Sequence, residues 1–179
     1  MKPATIERRG FELRATLDGQ RVSGLAVPYG KESLPLPFTE IIRAGAFRES
    51  LTSRNIGMYV EHDSGRVLAN TRSGTLRLEE TPEGIRFAAM LPATQDGNDV
   101  RALLDAGIYS QMSFGFIATE DEWEENTRYV NRAELFEISI VHNAAYGEET
   151  EAALRNRCNV PRPDLRRRYL RLRFGELNR

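Results

Sequence analysis

Short segments of alternating apolar and polar residues recur along most of the chain, and a period of two is typical of strands with one buried face. Helical spacing of apolar residues is confined to three stretches, at 44–53, 94–108 and 148–157. A mainly β (α+β) fold, a barrel or a sandwich with a few helices, is therefore expected. The predicted strands cover residues 11–17, 21–27, 56–62, 74–80, 84–91, 109–119, 127–133 and 134–142.

Local turn and cap signals support this division. The sequence "TPEG" separates the fourth and fifth predicted strands and has the proline and glycine positions of a hairpin turn. In the second helical stretch, Asn98 or Asp99 is a candidate N-cap and Gly107 suits the C-terminal end.

The composition is that of an ordinary one-domain protein. The chain has 179 residues, of which 40% are hydrophobic, and its formal net charge is -1. Neither nucleic acid nor a membrane is therefore expected as a partner on grounds of charge. There is no apolar run of membrane-spanning length, and the N-terminus lacks the apolar core of a signal peptide. With Cys158 as the one cysteine, no internal disulfide can form, and a cytosolic protein is expected.

The C-terminal stretch differs from the rest of the chain. Pro161 and Pro163 mark a break, and eight arginines between positions 155 and 173 face a single acidic residue, Asp164. We expect a folded domain over 1–158 and an arginine-rich tail over 159–179. The tail is interpreted either as a solvated terminus, or as a docking segment for an acidic partner or a remnant of self-cleavage.

The sequence "QMSFGF" contains one hydroxyl group, that of Ser113, beside Gly115. In a strand, the bulky Met112, Phe114 and Phe116 share one face, and Ser113 and Gly115 share the other. One interpretation is an ordinary half-exposed serine with a bulge glycine. The other is a nucleophile with open space beside it for a peptide backbone.

A serine nucleophile needs a base, and imidazole is the usual one. The chain has two histidines, His62 and His142, each at the end of a predicted strand. A third, orienting group is suggested by Glu137, an ionisable residue inside the apolar strand "ELFEISIVH". The other interpretations are that His62 is a surface residue and that Glu137 is a half-buried carboxylate paired with an arginine.

Other chemistries find little support in the sequence. Two histidines and one cysteine offer no metal-ligand spacing, and the chain has no phosphate-binding glycine loop, dinucleotide fingerprint or G-x-S-x-G motif. No metal and no cofactor are therefore expected.

Several segments, in order, resemble the tailed-phage prohead (head maturation) serine proteases, which are related in fold to the herpesvirus assemblins. The resemblance covers about residues 20–155. It is carried by "GLAVPYG", "TEIIRAGAFRESL", "EHD", "GIYSQMSFGF" and "ELFEISIV".

The resemblance implies a fold and a set of roles. The fold would be a closed or nearly closed β-barrel surrounded by a few helices, as in herpesvirus proteases. Ser113 corresponds to the nucleophile and His62 to the base. The third member is Glu137 by similarity to the phage proteases, or His142 by similarity to the assemblins. We favour Glu137, because it shares a strand face with Ser139 and His142 lies on the other face.

The resemblance also implies a function. It is that of a serine endopeptidase in the host cytoplasm, inside the assembling prohead. Its substrates would be the major capsid protein or the scaffolding protein, and the protease itself, and it would form a homodimer. The alternatives are a non-catalytic scaffold or capsid-assembly module on the same fold, and a β-barrel nucleic-acid binder, against which the near-neutral charge argues.

Overall fold

The computed structural model describes residues 5–13, 15–32 and 36–142. Within these ranges the chain forms ten strands and two helices. In chain order they are β1 (Glu7–Glu12), β2 (Thr16–Asp18), β3 (Arg21–Pro28), β4 (Thr39–Ile42), α1 (Arg48–Ser53), β5 (Gly57–Val60), β6 (Asp63–Asn70), β7 (Leu76–Thr81), β8 (Gly84–Met90), α2 (Gln95–Asp105), β9 (Gln111–Glu124) and β10 (Thr127–Val141).

The strands form two sheets. The six-stranded sheet has the order β1-β9-β10-β5-β6, with β4 also paired to β10, and the four-stranded sheet has the order β2-β3-β8-β7. The long antiparallel hairpin of β9 and β10 is the centre of the larger sheet. Along its other edge, β10 pairs in parallel first with β4 and then with β5. β10 therefore connects most of the larger sheet.

The core side of β9 is aromatic. Phe114 and Phe116 are buried, and their ring centroids lie 6.2 Å and 5.8 Å from that of Phe47, which precedes α1. Near-perpendicular edge contacts of this kind are favourable for aromatic pairs. Met112 is also fully buried. The predicted strand parity of "QMSFGF" is thus confirmed, and Ser113 lies on the face opposite to these residues.

A buried cluster of charged residues fixes β1 to the rest of the larger sheet. Nη1 of Arg128 lies 2.6 Å from Glu7 and 2.6 Å from Glu40, and its Nε lies 2.6 Å from Asp121. Arg9 donates to Glu40 at 2.6 Å. Charges that are buried together must be paired in this way to be tolerated. The cluster joins β1, β4, β9 and β10.

The second helix begins after a different N-cap residue from the one predicted. The predicted helix is confirmed as α2, and Gly107 follows its end with a φ of 68°, as expected of a glycine there. However, Thr94 is the N-cap, and its side chain accepts a hydrogen bond from the backbone N–H of Gly97. The assignment of Asn98 or Asp99 was wrong, because both lie inside the helix.

Several sheet predictions are corrected. The closed barrel was wrong, since neither sheet closes on itself over the residues described. The predicted strand 11–17 is divided between β1 and β2, whereas 127–133 and 134–142 are one strand, β10. Register shifts within β10, between Val130 and Arg132 and between Leu135 and Glu137, interrupt its alternation. The strands β4 and β6 were not predicted, because β4 is short and β6 begins with exposed residues.

The C-terminal part of the chain carries predictions that the described residues do not test. The predicted helix 148–157, Cys158 and the arginine-rich tail 159–179 lie outside the described residues. Among the described helices, none has the length and apolar character needed to cross a bilayer.

Candidate active site

Ser113 lies in the middle of the larger sheet. It is opposite Gly10 of β1 on one side and Ser139 of β10 on the other. Because directly opposed residues point to the same face, these three residues line one face of the sheet. Ser113 is only 3% exposed, and its Oγ donates a hydrogen bond to the backbone carbonyl of Arg9 at 3.0 Å.

His62 lies in the tight turn between β5 and β6. Both Glu61 and His62 have positive φ angles, 51° and 61°, which few residues other than glycine adopt. The backbone N–H of Glu61 donates to the carbonyl of Ile140, so the turn is attached to the end of β10. Val60 pairs with Asp63, and a two-residue hairpin turn of this kind requires a positive φ at both of its central residues. This turn places the His62 ring against β10.

Glu137 is the residue on which the polar contacts of this face converge. Its Oε1 lies 2.9 Å from Nδ1 of His62 and 3.0 Å from Nε of Arg8, and Ser139 donates to Oε2 at 3.3 Å. Burial raises the pKa of the Glu137 carboxyl, but the hydrogen bonds and charges of His62 and Arg8 outweigh it, so this pKa lies below its ordinary value. Glu137 is therefore ionised at neutral pH.

The tautomer of the neutral His62 ring follows from this contact. An ionised carboxylate can only accept hydrogen bonds, so Nδ1 of His62 carries the proton that faces Glu137. Nε2 of the neutral ring is then the nitrogen that can accept a proton. A histidine held in this tautomer by a carboxylate is the arrangement that a general base requires.

The glycine of "QMSFGF", Gly115, leaves room for the side chain of Glu137. It lies opposite Arg8 on β1 and Glu137 on β10. A Cβ atom at this position would lie 2.7 Å from Cγ and 2.8 Å from Oε1 of Glu137, closer than real contacts allow. The sequence suggested open space beside Ser113 for a substrate backbone. In the structure, the side chain of Glu137 occupies the space above Gly115.

His142 belongs to a different pair. Its backbone N–H and its Nδ1 lie 2.8 Å and 2.9 Å from Oε1 of Glu61, and its side chain is largely exposed. The structure therefore brings Glu137, and not His142, into contact with His62. No hydrogen bond joins Ser113 to His62, because the hydroxyl of Ser113 donates to the backbone carbonyl of Arg9.

Two contributors to this site were missed from the sequence. Arg8 precedes the first predicted strand, and Ser139 was noted only as a small neighbour of Glu137. The pairing of β1 with β9 and of β9 with β10 is what brings them together, and residue spacing alone carries no signal for it. Among the described residues, no group of histidine, cysteine and acidic side chains could hold a metal ion.

Comparisons with known proteins identify the family and the fold of this chain, and not its individual site residues. The bacteriophage T4 capsid assembly protease, gp21, is a structural neighbour with a TM-score of 0.54 and 10% sequence identity; the similarity covers 78% of this chain and 98% of that one. No curated protein matches the sequence. The family described as caudovirus prohead serine protease matches residues 9–161, most of the chain. The chain therefore belongs to the caudovirus prohead serine protease family.

Proposed function

We propose that this chain is a serine endopeptidase in which Ser113 is the nucleophile, His62 the general base and Glu137 the group that orients His62. Membership of the family supports the reaction class. The assignment of residues is carried by one observation, the 2.9 Å contact between His62 and Glu137 on the sheet face that bears Ser113.

The proposed reaction follows from the chemistry of these groups. The hydroxyl of Ser113 leaves the carbonyl of Arg9 by rotation about its Cα–Cβ bond, and Oγ attacks the scissile carbonyl carbon. Nε2 of His62 takes the hydroxyl proton and gives it to the leaving amine as the C–N bond breaks. Water then hydrolyses the acyl-enzyme in the same way. Glu137 keeps the imidazole in the required tautomer and stabilises its charged form.

The proposed substrates are proteins of the assembling phage head. They are the scaffolding protein or the scaffolding segment of the major capsid protein, and the protease itself. The family description and the fold shared with a capsid assembly protease support this choice. We also propose that the active species is a homodimer. Sedimentation at increasing concentration tests this, and a fully active strict monomer would contradict it.

A second candidate function is favoured by one observation. Ser113 is nearly inaccessible, and its hydroxyl bonds to the backbone of β1 and not to His62. A serine that serves only to join two strands would look the same. The second candidate is therefore a non-catalytic capsid-assembly module that keeps the family fold.

Co-expression with the capsid and scaffolding proteins of the same phage separates the two candidates. The Ser113→Ala variant is compared with the wild type and with Ser53→Ala, which removes an exposed hydroxyl from α1. We expect processing by the wild type and Ser53→Ala and none by Ser113→Ala. Processing by Ser113→Ala would refute the assignment of the nucleophile. If all three proteins leave the substrates intact, the non-catalytic module is the better account.

A further inference from the structure

Arg8 contacts the same carboxylate oxygen as the candidate base. Its Nε lies 3.0 Å from Oε1 of Glu137, and Nδ1 of His62 lies 2.9 Å from that atom. The sheet order β1-β9-β10-β5 places the strand of Arg8 on one side of β10 and the turn of His62 on the other. The carboxylate is therefore held between a permanent cation and an imidazole.

Arg8 can contact Glu137 because the residue between them, Gly115, has no side chain. Arg8 is opposite Gly115, and Gly115 is opposite Glu137, so the arginine must reach across β9 to make this contact. A Cβ on Gly115 would lie within 2.8 Å of Oε1 of Glu137. The glycine thus allows the carboxylate to lie over β9, where Arg8 can reach it.

The backbone of Arg8 is fixed by its two neighbours in sequence. Glu7 and Arg9 point to the opposite face, where Glu7 binds Arg128 at 2.6 Å and Arg9 binds Glu40 at 2.6 Å. Alternation along a strand then directs Arg8 to the face that bears Ser113. The side chain of Arg8 is half exposed, so it is the buried cluster, and not its own burial, that determines its position.

We propose that Arg8 is a positioning residue of the candidate active site. Its guanidinium holds the carboxylate of Glu137 and weakens the electrostatic effect of that carboxylate on His62. The proposal rests on the function proposed above. The family match begins at residue 9, so it does not include Arg8. In this arrangement the N-terminal strand is a part of the catalytic apparatus.

Arg8 and His62 contact the same oxygen of Glu137, so the effect of Arg8 can be measured through the protonation of His62. Without the cation, the whole charge of Glu137 acts on the imidazole, and protonated His62 becomes more favourable. The other charged groups near the ring remain the same in the variants. They are Glu61 and Asp63 beside it in the turn, His142 paired with Glu61, and the Arg66–Asp96 pair near Glu61; Tyr109, which also lies near Glu61, is a neutral phenol whose pKa burial raises.

The test follows the protonation of both histidines by NMR in the full-length wild type, Arg8→Gln and Arg8→Lys. The midpoint for His62 should rise by about 0.2–0.7 pH unit in Arg8→Gln, the range expected of a half-exposed ion pair. It should stay near the wild-type value in Arg8→Lys, which keeps the charge. His142, the only other histidine and one bonded to Glu61, is an internal control and should not move.

A rate measurement connects this shift to the reaction. The pH dependence of Ser113 labelling by a fluorophosphonate probe should move to higher pH in Arg8→Gln by the same amount. The matched control is Arg132→Gln, which breaks an exposed pair with Glu120 farther along β10 and should leave the profile unchanged.

Two outcomes would overturn the proposal. One is a His62 midpoint that does not change in Arg8→Gln, and the other is an equal change in Arg8→Lys. If the NMR shift is observed but neither wild type nor variants are labelled at Ser113, the positioning contact stands and the proposed protease function fails. The two failures are thus distinguishable.

Discussion

Consecutive residues of β1 bind two glutamates in very different surroundings. Arg9 binds Glu40, whose side chain is fully buried and also contacts Arg128. Arg8 binds Glu137, which is nearly as buried but also contacts a histidine, His62, and the hydroxyl of Ser139. Both carboxylates are paired, as buried charges must be. The first is enclosed by arginines, which cannot give up a proton near neutral pH. The second carboxylate contacts the imidazole of His62, a group that can accept and release a proton.

Burial and pairing are common to both carboxylates, so neither feature distinguishes Glu137, for which we propose a catalytic role, from Glu40. The cluster around Glu40 holds β1, β4, β9 and β10 together, and the arginines that contact Glu40 keep their charge near neutral pH. The cluster around Glu137 faces the serine-bearing side of the sheet, and one of its cations is half exposed. We therefore assign stability to the first cluster and chemistry to the second, and the following changes test this division.

The largest effect is expected from Arg128→Met. It removes the cation that lies between Glu7, Glu40 and Asp121, and uncompensated buried charge costs about 3–5 kcal/mol in the free energy of unfolding. Glu137→Gln should change the free energy of unfolding by less than about 1 kcal/mol, because Arg8 is half exposed. Urea denaturation of both variants measures the two losses. Losses of equal size would contradict the division.

The second comparison concerns turnover. Glu137→Gln should lower turnover by about 10- to 1000-fold, because the amide can no longer impose the tautomer of His62. His142→Ala should have little effect, since His142 binds Glu61 and is largely exposed. Cleavage of the capsid substrate, normalised to folded protein, measures both. A reversal of the two effects would move the orienting role to His142.

The third and smallest effect is expected from Gly115→Ala. The added Cβ would displace the carboxylate of Glu137, and misplacement of a catalytic group by about 1 Å can cost up to about 100-fold in rate. The control is Gly65→Ala, where the nearest atom outside the adjoining residues is a side-chain oxygen of Asp63 at 3.1 Å. Both variants are assayed by the rate of capsid-protein cleavage. Equal activity of the two alanine variants would show that the position of Glu137 does not limit the reaction.

The sequence predicted the local features of this fold better than the global ones. A period of two is visible in a single strand, so the core face of "QMSFGF" and most strands were predicted correctly. Which strands pair, and whether a sheet closes, depends on contacts between distant segments. The closed barrel was for this reason wrong, and the continuity of β10 was hidden by its register shifts.

The candidate site shows the same limit. Ser113, His62 and Glu137 could be selected from the chemistry of their side chains and from the family resemblance. Arg8 could not, because nothing in its sequence neighbourhood distinguishes it from Arg9. Only the register that places Arg8, Gly115 and Glu137 in one row across the sheet reveals its contact. The interpretation of Gly115 as open space for a substrate backbone was wrong for the same reason, since Glu137 fills that space.

The most direct test of the account is the site of covalent labelling by a fluorophosphonate probe, located by mass spectrometry. The probe reacts with a serine that an adjacent base activates. We predict modification of Ser113 in the wild-type protein and its loss in His62→Ala, with both proteins folded. Modification of Ser113 at the same rate in His62→Ala, or of a different serine in the wild type, would contradict the account.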